Sequence, residues 1–257
     1  MSTGSSSRPA GPEVSFIVPC YNEEAIIEYT IPRLLKAFKN GGYRLELVVV
    51  DNGSTDRTGE IIRDMAAKNP AIVHYRVEQN EGYGNGVLKA LPLCTAPWVG
   101  IIPADGQVDA EDVVGLYEAV LTTDGNVLGK VRRRFRMDGF KRAVISIVYN
   151  CLVRALWPRL ESLDINGSPK LLPRQIITQM ELKSKDWLLD PEIMIKAHYM
   201  GVKILELNAF SRMRTNGVSR VQMGTCWTFL HYLFLFRFSP EWRRKLRQPS
   251  LTSKANS

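Results

Sequence analysis

The chain has 257 residues, of which 45% are hydrophobic and 23% charged, a composition that excludes a collagen, a coiled coil and wholesale disorder. Its length suits one large domain with an appendage, and its net charge is +8. Four isolated cysteines, with no C-x-x-C pair, argue against a zinc site or a disulfide framework and favour a reducing compartment.

The first part of the chain alternates short β-branched runs with longer amphipathic ones. Residues 1–12, rich in Ser, Gly and Pro, predict a disordered lead-in. Residues 14–18 predict a strand, and residues 23–39 predict a helix kinked at Pro32. The run 45–50, which is apolar except for Glu46, predicts a strand that is buried on both faces of a parallel sheet.

The same alternation continues to residue 121. A turn at 51–56 contains Asp56, which can cap a helix that begins near Arg57. There follow a strand at 72–77, a helix at 86–91, a strand at 98–102 and a helix at 110–121. Strand and helix alternate four times, which predicts an α/β fold with an open, doubly wound, mostly parallel twisted sheet flanked by helices.

Two basic segments hold the excess positive charge, residues 130–142 with +6 and residues 237–247 with +4. The first has five Arg and two Lys, a preference that favours planar phosphate recognition over a merely solvated face. The aromatic run 223–236 precedes the second, and together they predict a helix over 223–248, either interfacial on anionic lipid or a core or dimer helix. Residues 249–257 predict a disordered tail. No apolar run reaches the ~20 residues needed to cross a bilayer.

Polar clusters follow three of the predicted strands, at the sheet edge where open α/β folds bind ligands. They are residues 19–23 (Pro-Cys-Tyr-Asn-Glu), 51–56 (Asp-Asn-Gly-Ser-Thr-Asp) and 103–107 (Pro-Ala-Asp-Gly-Gln). Residues 80–86 are Gly-rich and either approach a phosphate or form a loop and helix cap. No G-x-G-x-x-G follows the first strand and no G-x-x-x-x-G-K-[ST] occurs, which argues against the usual dinucleotide and P-loop classes.

The later part of the chain adds three more motifs. They are residues 164–174 (Asp-Ile-Asn-Gly-Ser-Pro-Lys-Leu-Leu-Pro-Arg), 187–192 (Trp-Leu-Leu-Asp-Pro-Glu) and 214–220 (Arg-Thr-Asn-Gly-Val-Ser-Arg). The whole ordered set resembles family 2 glycosyltransferases with the GT-A fold. The later three motifs resemble the branch of dolichol-phosphate mannose synthases and polyprenyl-phosphate sugar transferases. The match spans about residues 14–222, so we expect a GT-A domain over residues 13–222.

The resemblance implies transfer of a sugar from a nucleoside diphosphate sugar, GDP-mannose or a UDP-hexose, with inversion by direct displacement. It implies that five residues bind the nucleotide: Pro19, Tyr21, Glu23, Asp51 and Gly84. Carboxylates at such positions accept hydrogen bonds from base N–H or ribose hydroxyl groups. The structural alternatives are simple packing for Tyr21 and capping of its own turn for Asp51.

The resemblance also implies a divalent cation, Mg²⁺ or Mn²⁺, that bridges the donor diphosphate and is held by Asp105 and Gln107. The family usually has Asp-x-Asp here, whereas Pro103 stands where the first Asp would be. The site has one anionic ligand fewer, so we expect weak metal binding unless the diphosphate is present. Asn52 likewise replaces an acidic residue that is common in the family.

A polyprenyl or dolichyl phosphate is the acceptor that the resemblance implies, and its phosphate needs cationic partners. The residues implied for this role are Arg133, Arg136, Arg142, Ser146, Arg214, Ser219 and Arg220, with Arg142 also counted as catalytic beside Asp105. The alternative acceptor is a hydroxyl of a saccharide or natural product, which requires a general base. Asp190 and Glu192 are the candidates for that base, unless this segment only opens a helix.

A different class of function stays open, because Pro103 is also compatible with a non-catalytic nucleotide-sugar-binding protein. RNA-stacking motifs are absent and the basic segment lacks groove-reading chemistry, so we expect no nucleic acid partner. Family members often carry transmembrane helices after this domain, and here we expect none. The expected location is the cytoplasm, with peripheral membrane contact or a membrane partner at the cytoplasmic face. The oligomeric state is not specified by the sequence.

Overall fold

The computed structural model describes residues 11–133, 151–160, 162, 164–209, 233 and 236–238. The strands are β1 (Val14–Cys20), β2 (Leu45–Asn52), β3 (Ile72–Val77), β4 (Trp98–Ile101), β5 (Val127–Arg133), β6 (Lys170–Pro173) and β7 (Lys203–Ala209). The helices are α1 (Ile27–Asn40), α2 (Thr58–Lys68), α3 (Tyr83–Ala90), α4 (Ala110–Leu121), α5 (Arg174–Gln179) and α6 (Leu189–Tyr199), with a 3-10 turn at Leu91–Leu93. Residues 151–156 are helical as well.

The seven strands form one sheet in the order β3-β2-β1-β4-β6-β5-β7. Strands β1 to β4 are parallel, β5 and β7 are parallel to each other, and β6 runs antiparallel to both of its neighbours. The predicted fold class, a mostly parallel open sheet flanked by helices, is confirmed.

Alternating side chains of the central strands pack into two apolar layers, one on each face of the sheet. Phe16 and Val18 of β1 contact the layer that includes α1 and α4, while Ile17 lies in the layer that includes α3 and α6. Phe16 and Phe38 meet edge to face with ring centroids 5.7 Å apart. Burial on both faces explains why β1 and β2 are almost continuously apolar.

Several boundaries differ from those predicted. Helix α1 begins at Ile27 rather than at residue 23, because the N–H groups of Ile26 and Ile27 both bond to the Glu23 carbonyl in a turn. This leaves the Glu23 side chain on a loop. Helix α2 begins at Thr58 with Arg57, rather than the predicted Asp56, as its N-cap residue, although Asp56 accepts a 3.0 Å bond from the Thr58 N–H.

The predicted elements stopped before β5, β6 and β7. The basic segment 130–142 begins inside β5, and its first residue, Lys130, is fully buried in the sheet. The interpretation of this segment as one phosphate-binding unit is therefore wrong for Lys130. Residues 134–142 lie outside the described part, as do most of the predicted helix at 223–248 and the tail at 249–257. Within the described residues no helix is both long and apolar enough to span a bilayer.

Candidate active site

The strand order creates a switch point beside β1. The chain runs from β1 outward to β2 and β3 on one side, then returns to place β4 on the other side. Loops after β1 and β4 therefore diverge at the carboxyl edge and leave a crevice, the usual ligand position in such sheets. The polar clusters that begin at Pro19 and Pro103 flank this crevice.

The loop after β1 is bound tightly to the loop after β2. Asn22 has a positive φ of 54° and receives the Thr55 N–H on Oδ1 at 2.9 Å, while its own N–H donates to Ser54 Oγ at 3.1 Å. The Glu23 N–H donates to Thr58 Oγ1 at 2.8 Å. These bonds bring two of the three predicted clusters together.

Asp51 is completely buried at the end of β2. Its Oδ1 accepts the Ser54 N–H at 2.8 Å, and its Oδ2 pairs with Arg76 Nη1 at 2.5 Å. The turn-capping alternative for Asp51 is thus present in the structure, together with an ion pair that the sequence did not indicate. Burial, assisted by the Glu23 and Asp51 carboxylates, raises the pKa of the Cys20 thiol well above its ordinary value.

Asp105 and Gln107 lie on the loop after β4. The Gln107 N–H donates to Asp105 Oδ1 at 3.2 Å, and the Gln107 side chain is buried. The loop is anchored to α1 because Thr30 Oγ1 donates to the Ala104 carbonyl at 2.9 Å. Among the residues described, no three His, Cys, Asp or Glu side chains group closely enough to hold a metal ion. Asp105 and Gln107 together therefore offer an incomplete metal site with one carboxylate, which fits a cation only when a diphosphate supplies further oxygens.

The Gly-rich segment packs against the loop that precedes α6. The Asn85 N–H donates to the Lys185 carbonyl at 2.7 Å, and a side chain at Gly84 would collide with the backbone of residues 184–186. Asn52 Nδ2 donates to the Gly82 carbonyl at 2.9 Å. The requirement for glycine at 84 is thus explained by loop packing, which favours the loop alternative over direct contact between Gly84 and a phosphate.

Two aromatic residues that the sequence did not indicate as site residues lie where the Gly-rich segment meets the loop before α6. The rings of Tyr83 and Trp187 are stacked, with centroids 4.8 Å apart and planes 6° from parallel. Burial raises the pKa of the Tyr83 hydroxyl well above its ordinary value, and the Asp190 and Asp105 carboxylates raise it further. The charges of both carboxylates therefore act on Tyr83, and its place in the Gly-rich segment was the only sequence signal for it.

Asp190, in the first turn of α6, forms an ion pair with a buried lysine. Lys170 Nζ lies 2.5 Å from Asp190 Oδ1 and also donates to the Gly167 carbonyl at 2.9 Å. Lys130 stands opposite Lys170 on the neighbouring strand and bonds to Glu206 and to the Asp164 carbonyl. Burial, and next the charge of Lys170, lower the pKa of Lys130 to about 8.

Glu192 is buried one turn of α6 away from a third lysine. Its carboxylate accepts the N–H groups of Lys183 at 3.0 Å and Ser184 at 2.7 Å, and it lies 2.6 Å from Lys196 Nζ. These partners fix the loop before α6. Such a placement favours the alternative in which this segment serves the start of the helix.

The remaining predicted residues are placed only in part. Pro19 lies in β1 opposite Val50, and Tyr21 follows it, partly buried. Arg133 ends β5. The others lie outside the described residues, namely Arg136, Arg142, Ser146, Arg214, Ser219 and Arg220.

Comparison with known proteins defines the class. The profile of Glycosyl transferase family 2 matches residues 15–179, more than half of the sequence, and the chain belongs to this family. The resemblance noted in the sequence is confirmed.

Two relatives show which members of the family the chain is similar to. The chain is 26% identical over 229 residues to a dolichol-phosphate mannosyltransferase of Pyrococcus furiosus, covering 86% of this chain and 63% of that protein. It is 27% identical over 158 residues to an undecaprenyl-phosphate 4-deoxy-4-formamido-L-arabinose transferase of Edwardsiella ictaluri, covering 55% and 48%. The chain thus spans less than two thirds of either relative.

The fold matches that of glucosyl-3-phosphoglycerate synthase from Mycobacterium tuberculosis, solved with Mn²⁺, UDP and phosphoglyceric acid. The TM-score is 0.71 at 24% identity, over 89% of this chain and 79% of that one. The fold is therefore GT-A, and the chain, as a member of glycosyltransferase family 2, is similar in sequence to polyprenyl-phosphate sugar transferases.

Proposed function

We propose that this glycosyltransferase moves a sugar from a nucleoside diphosphate sugar to a polyprenyl phosphate, by direct displacement with inversion. The proposal rests on the ion-pair partners of the two candidate bases, Asp190 and Glu192. Asp190 pairs with Lys170 at 2.5 Å and Glu192 with Lys196 at 2.6 Å. Both carboxylates are buried and their oxygens are engaged by protein donors, so neither is placed to reach an acceptor hydroxyl, whereas a phosphate oxygen is already anionic and needs no base.

The donor nucleotide is proposed to bind where the loops after β1 and β2 meet. Tyr21 and Glu23 flank this junction, and the Asp51–Arg76 pair lies beneath it with the Arg76 side chain 41% exposed. The partly exposed Glu23 offers an acceptor and Arg76 a donor to the polar edge of a base, while the buried Asp51 holds the Arg76 guanidinium in place. Either GDP-mannose or a UDP-hexose is compatible with this arrangement.

A divalent cation, Mg²⁺ or Mn²⁺, is proposed to bind Asp105 and Gln107 together with the donor diphosphate. When bound, such an ion neutralises charge on the leaving diphosphate. Asp105 is held for this role by the Gln107 N–H and by the anchored Ala104 carbonyl. The mycobacterial synthase, which contains Mn²⁺ and UDP, supports a cation with a diphosphate in this fold.

The acceptor phosphate is proposed to meet the arginines of the first basic segment, Arg133, Arg136 and Arg142, with Ser146, and those of residues 214–220, Arg214 and Arg220, with Ser219. The names of both relatives, dolichol-phosphate and undecaprenyl-phosphate transferases, support a lipid phosphate. The second candidate acceptor is a hydroxyl, favoured because the Asp190 and Asp105 carboxylates both raise the pKa of the Tyr83 hydroxyl. In that case Asp190 is the base, and its pairing with Lys170 must loosen on binding.

Lipid extraction separates the two acceptors. The full chain is incubated with labelled GDP-mannose, UDP-glucose or UDP-N-acetylglucosamine, Mn²⁺, and either farnesyl phosphate or phosphoglyceric acid. We expect label in the lipid phase for one donor, and its loss in excess EDTA. Label only in a water-soluble product for every donor would overturn the polyprenyl-phosphate proposal and favour the hydroxyl acceptor.

A further inference from the structure

Trp187 presents an exposed aromatic ring at the edge of the site. Its side chain is 41% exposed, and it lies three residues before Asp190. Tyr83 covers one face of the indole in a stacked arrangement. Isolated exposed apolar residues are ordinary on protein surfaces, so exposure alone indicates nothing. The surroundings of Trp187 distinguish it from such residues.

The loop that contains Trp187 is held from several directions. Glu192 accepts the N–H groups of Lys183 and Ser184, and the Lys185 carbonyl accepts the Asn85 N–H at 2.7 Å. Lys185 Nζ also lies 2.6 Å from Glu81. A ring that is already ordered loses little conformational freedom when a ligand binds to it, which lowers the free-energy cost of association.

The ring is also next to the proposed chemistry. Its stacking partner Tyr83 lies within electrostatic range of both Asp105 and Asp190. Trp187 therefore lies where the Gly-rich segment, which is bonded to Asn52 at the end of β2, meets the loop that leads to Asp190.

We infer that the indole of Trp187 binds the first isoprene units of the lipid acceptor, an inference that rests on the proposed function. An isoprenoid chain presents methyl and alkene carbons next to its phosphate, and these pack on an indole surface. Phosphoglyceric acid has no such carbons. Trp187 is thus a specificity residue that separates a lipid phosphate from a polar phosphate ester.

The test uses the full chain as wild type, Trp187→Ala and Trp187→Phe, with Tyr29→Ala as the matched control. Tyr29 is an aromatic residue of α1 that is 45% exposed and covered by the Arg33 guanidinium, outside the proposed site. KM and kcat are measured for farnesyl phosphate and for the donor. Binding of farnesyl phosphate in the presence of Mn²⁺ and a nucleoside diphosphate is measured by calorimetry.

In Trp187→Ala we expect KM and Kd for farnesyl phosphate to rise about tenfold, the scale of one lost aromatic contact, with donor KM within about twofold. Trp187→Phe should recover most of this loss, and Tyr29→Ala should match wild type.

Unchanged farnesyl phosphate KM and Kd, or an equal rise in donor KM, would overturn the inference. Absence of transfer with Trp187-dependent farnesyl phosphate binding would overturn the proposed function alone. Absence of both would overturn both.

Discussion

Two groups of charged residues differ in what surrounds each charge. At the donor edge, formed by the loops after β1, β2 and β4, Glu23 and Asp105 are partly exposed. In the lysine cluster, defined as three buried lysines each paired with a carboxylate, the charges neutralise one another inside the protein. Its pairs are Lys130–Glu206, Lys170–Asp190 and Lys196–Glu192.

The difference teaches that the surroundings of a carboxylate, rather than its residue type, indicate its role. A half-exposed carboxylate on an anchored loop can be reached from solvent by a cation or a ligand. A carboxylate paired with a buried ammonium compensates a charge that is otherwise costly to bury. We therefore expect changes at the donor edge to lower activity, and changes in the lysine cluster to lower stability.

The largest expected loss of stability follows Lys170→Met. The change leaves Asp190 in a buried site without its 2.5 Å partner, which costs ~3–5 kcal/mol of unfolding free energy. Urea denaturation measures it. The double variant Lys170→Met with Asp190→Leu should recover much of the loss, because both charges are then removed together. A single variant within ~1 kcal/mol of wild type would contradict the assignment of this pair to the buried cluster.

Asp105→Asn tests the donor edge. We expect kcat to fall by ~100- to 1000-fold, the range for losing one group that stabilises transition-state charge, with unfolding free energy within ~0.5 kcal/mol of wild type. Asp109→Asn is the matched control, because Asp109 lies on the same loop but faces Arg33 at 3.6 Å. Equal losses of kcat in both variants would show that the loop, and not the Asp105 carboxylate, is required.

The sequence predicted the donor edge better than the lysine cluster, for a physical reason. Strands β1 and β2 are apolar on both faces, and the clusters after them are polar, so local pattern alone located the edge. Lys130 and Lys170 interrupt apolar strands, and lysine in a strand indicates exposure unless its partner is known. Glu206 lies 76 residues from Lys130, and Asp190 lies 20 residues from Lys170. Such pairings depend on how the chain folds back, which no local pattern contains.

The Lys130 pair predicts a dependence of stability on pH. Because the folded-state pKa is about 8 and the ordinary value is 10.5, the unfolded state binds more protons between these values. The free energy of unfolding must therefore rise with pH across this window, by about 3 kcal/mol in total. Below pH 8 Lys130 is charged in both states, and the folded state bears the full cost of burying that charge. Urea denaturation from pH 7 to 10.5 should show this rise in wild type relative to Lys130→Met. Parallel pH curves for the two proteins would contradict it.

The smallest effect is expected at an ion pair on the surface. Lys203 Nζ lies 2.7 Å from Asp124 Oδ2, almost the separation of the Lys170–Asp190 pair, but the two side chains are 69% and 57% exposed. Water solvates both ions before and after the contact forms, and salt screens them, so the pair adds little to stability. Lys203→Ala should have the same urea midpoint as wild type, at low and high salt alike. A loss of stability comparable with that of Lys170→Met would mean that the separation between the charges, and not their burial, determines how much a pair stabilises the protein. The contrast between exposed and buried charges in this protein would then fail.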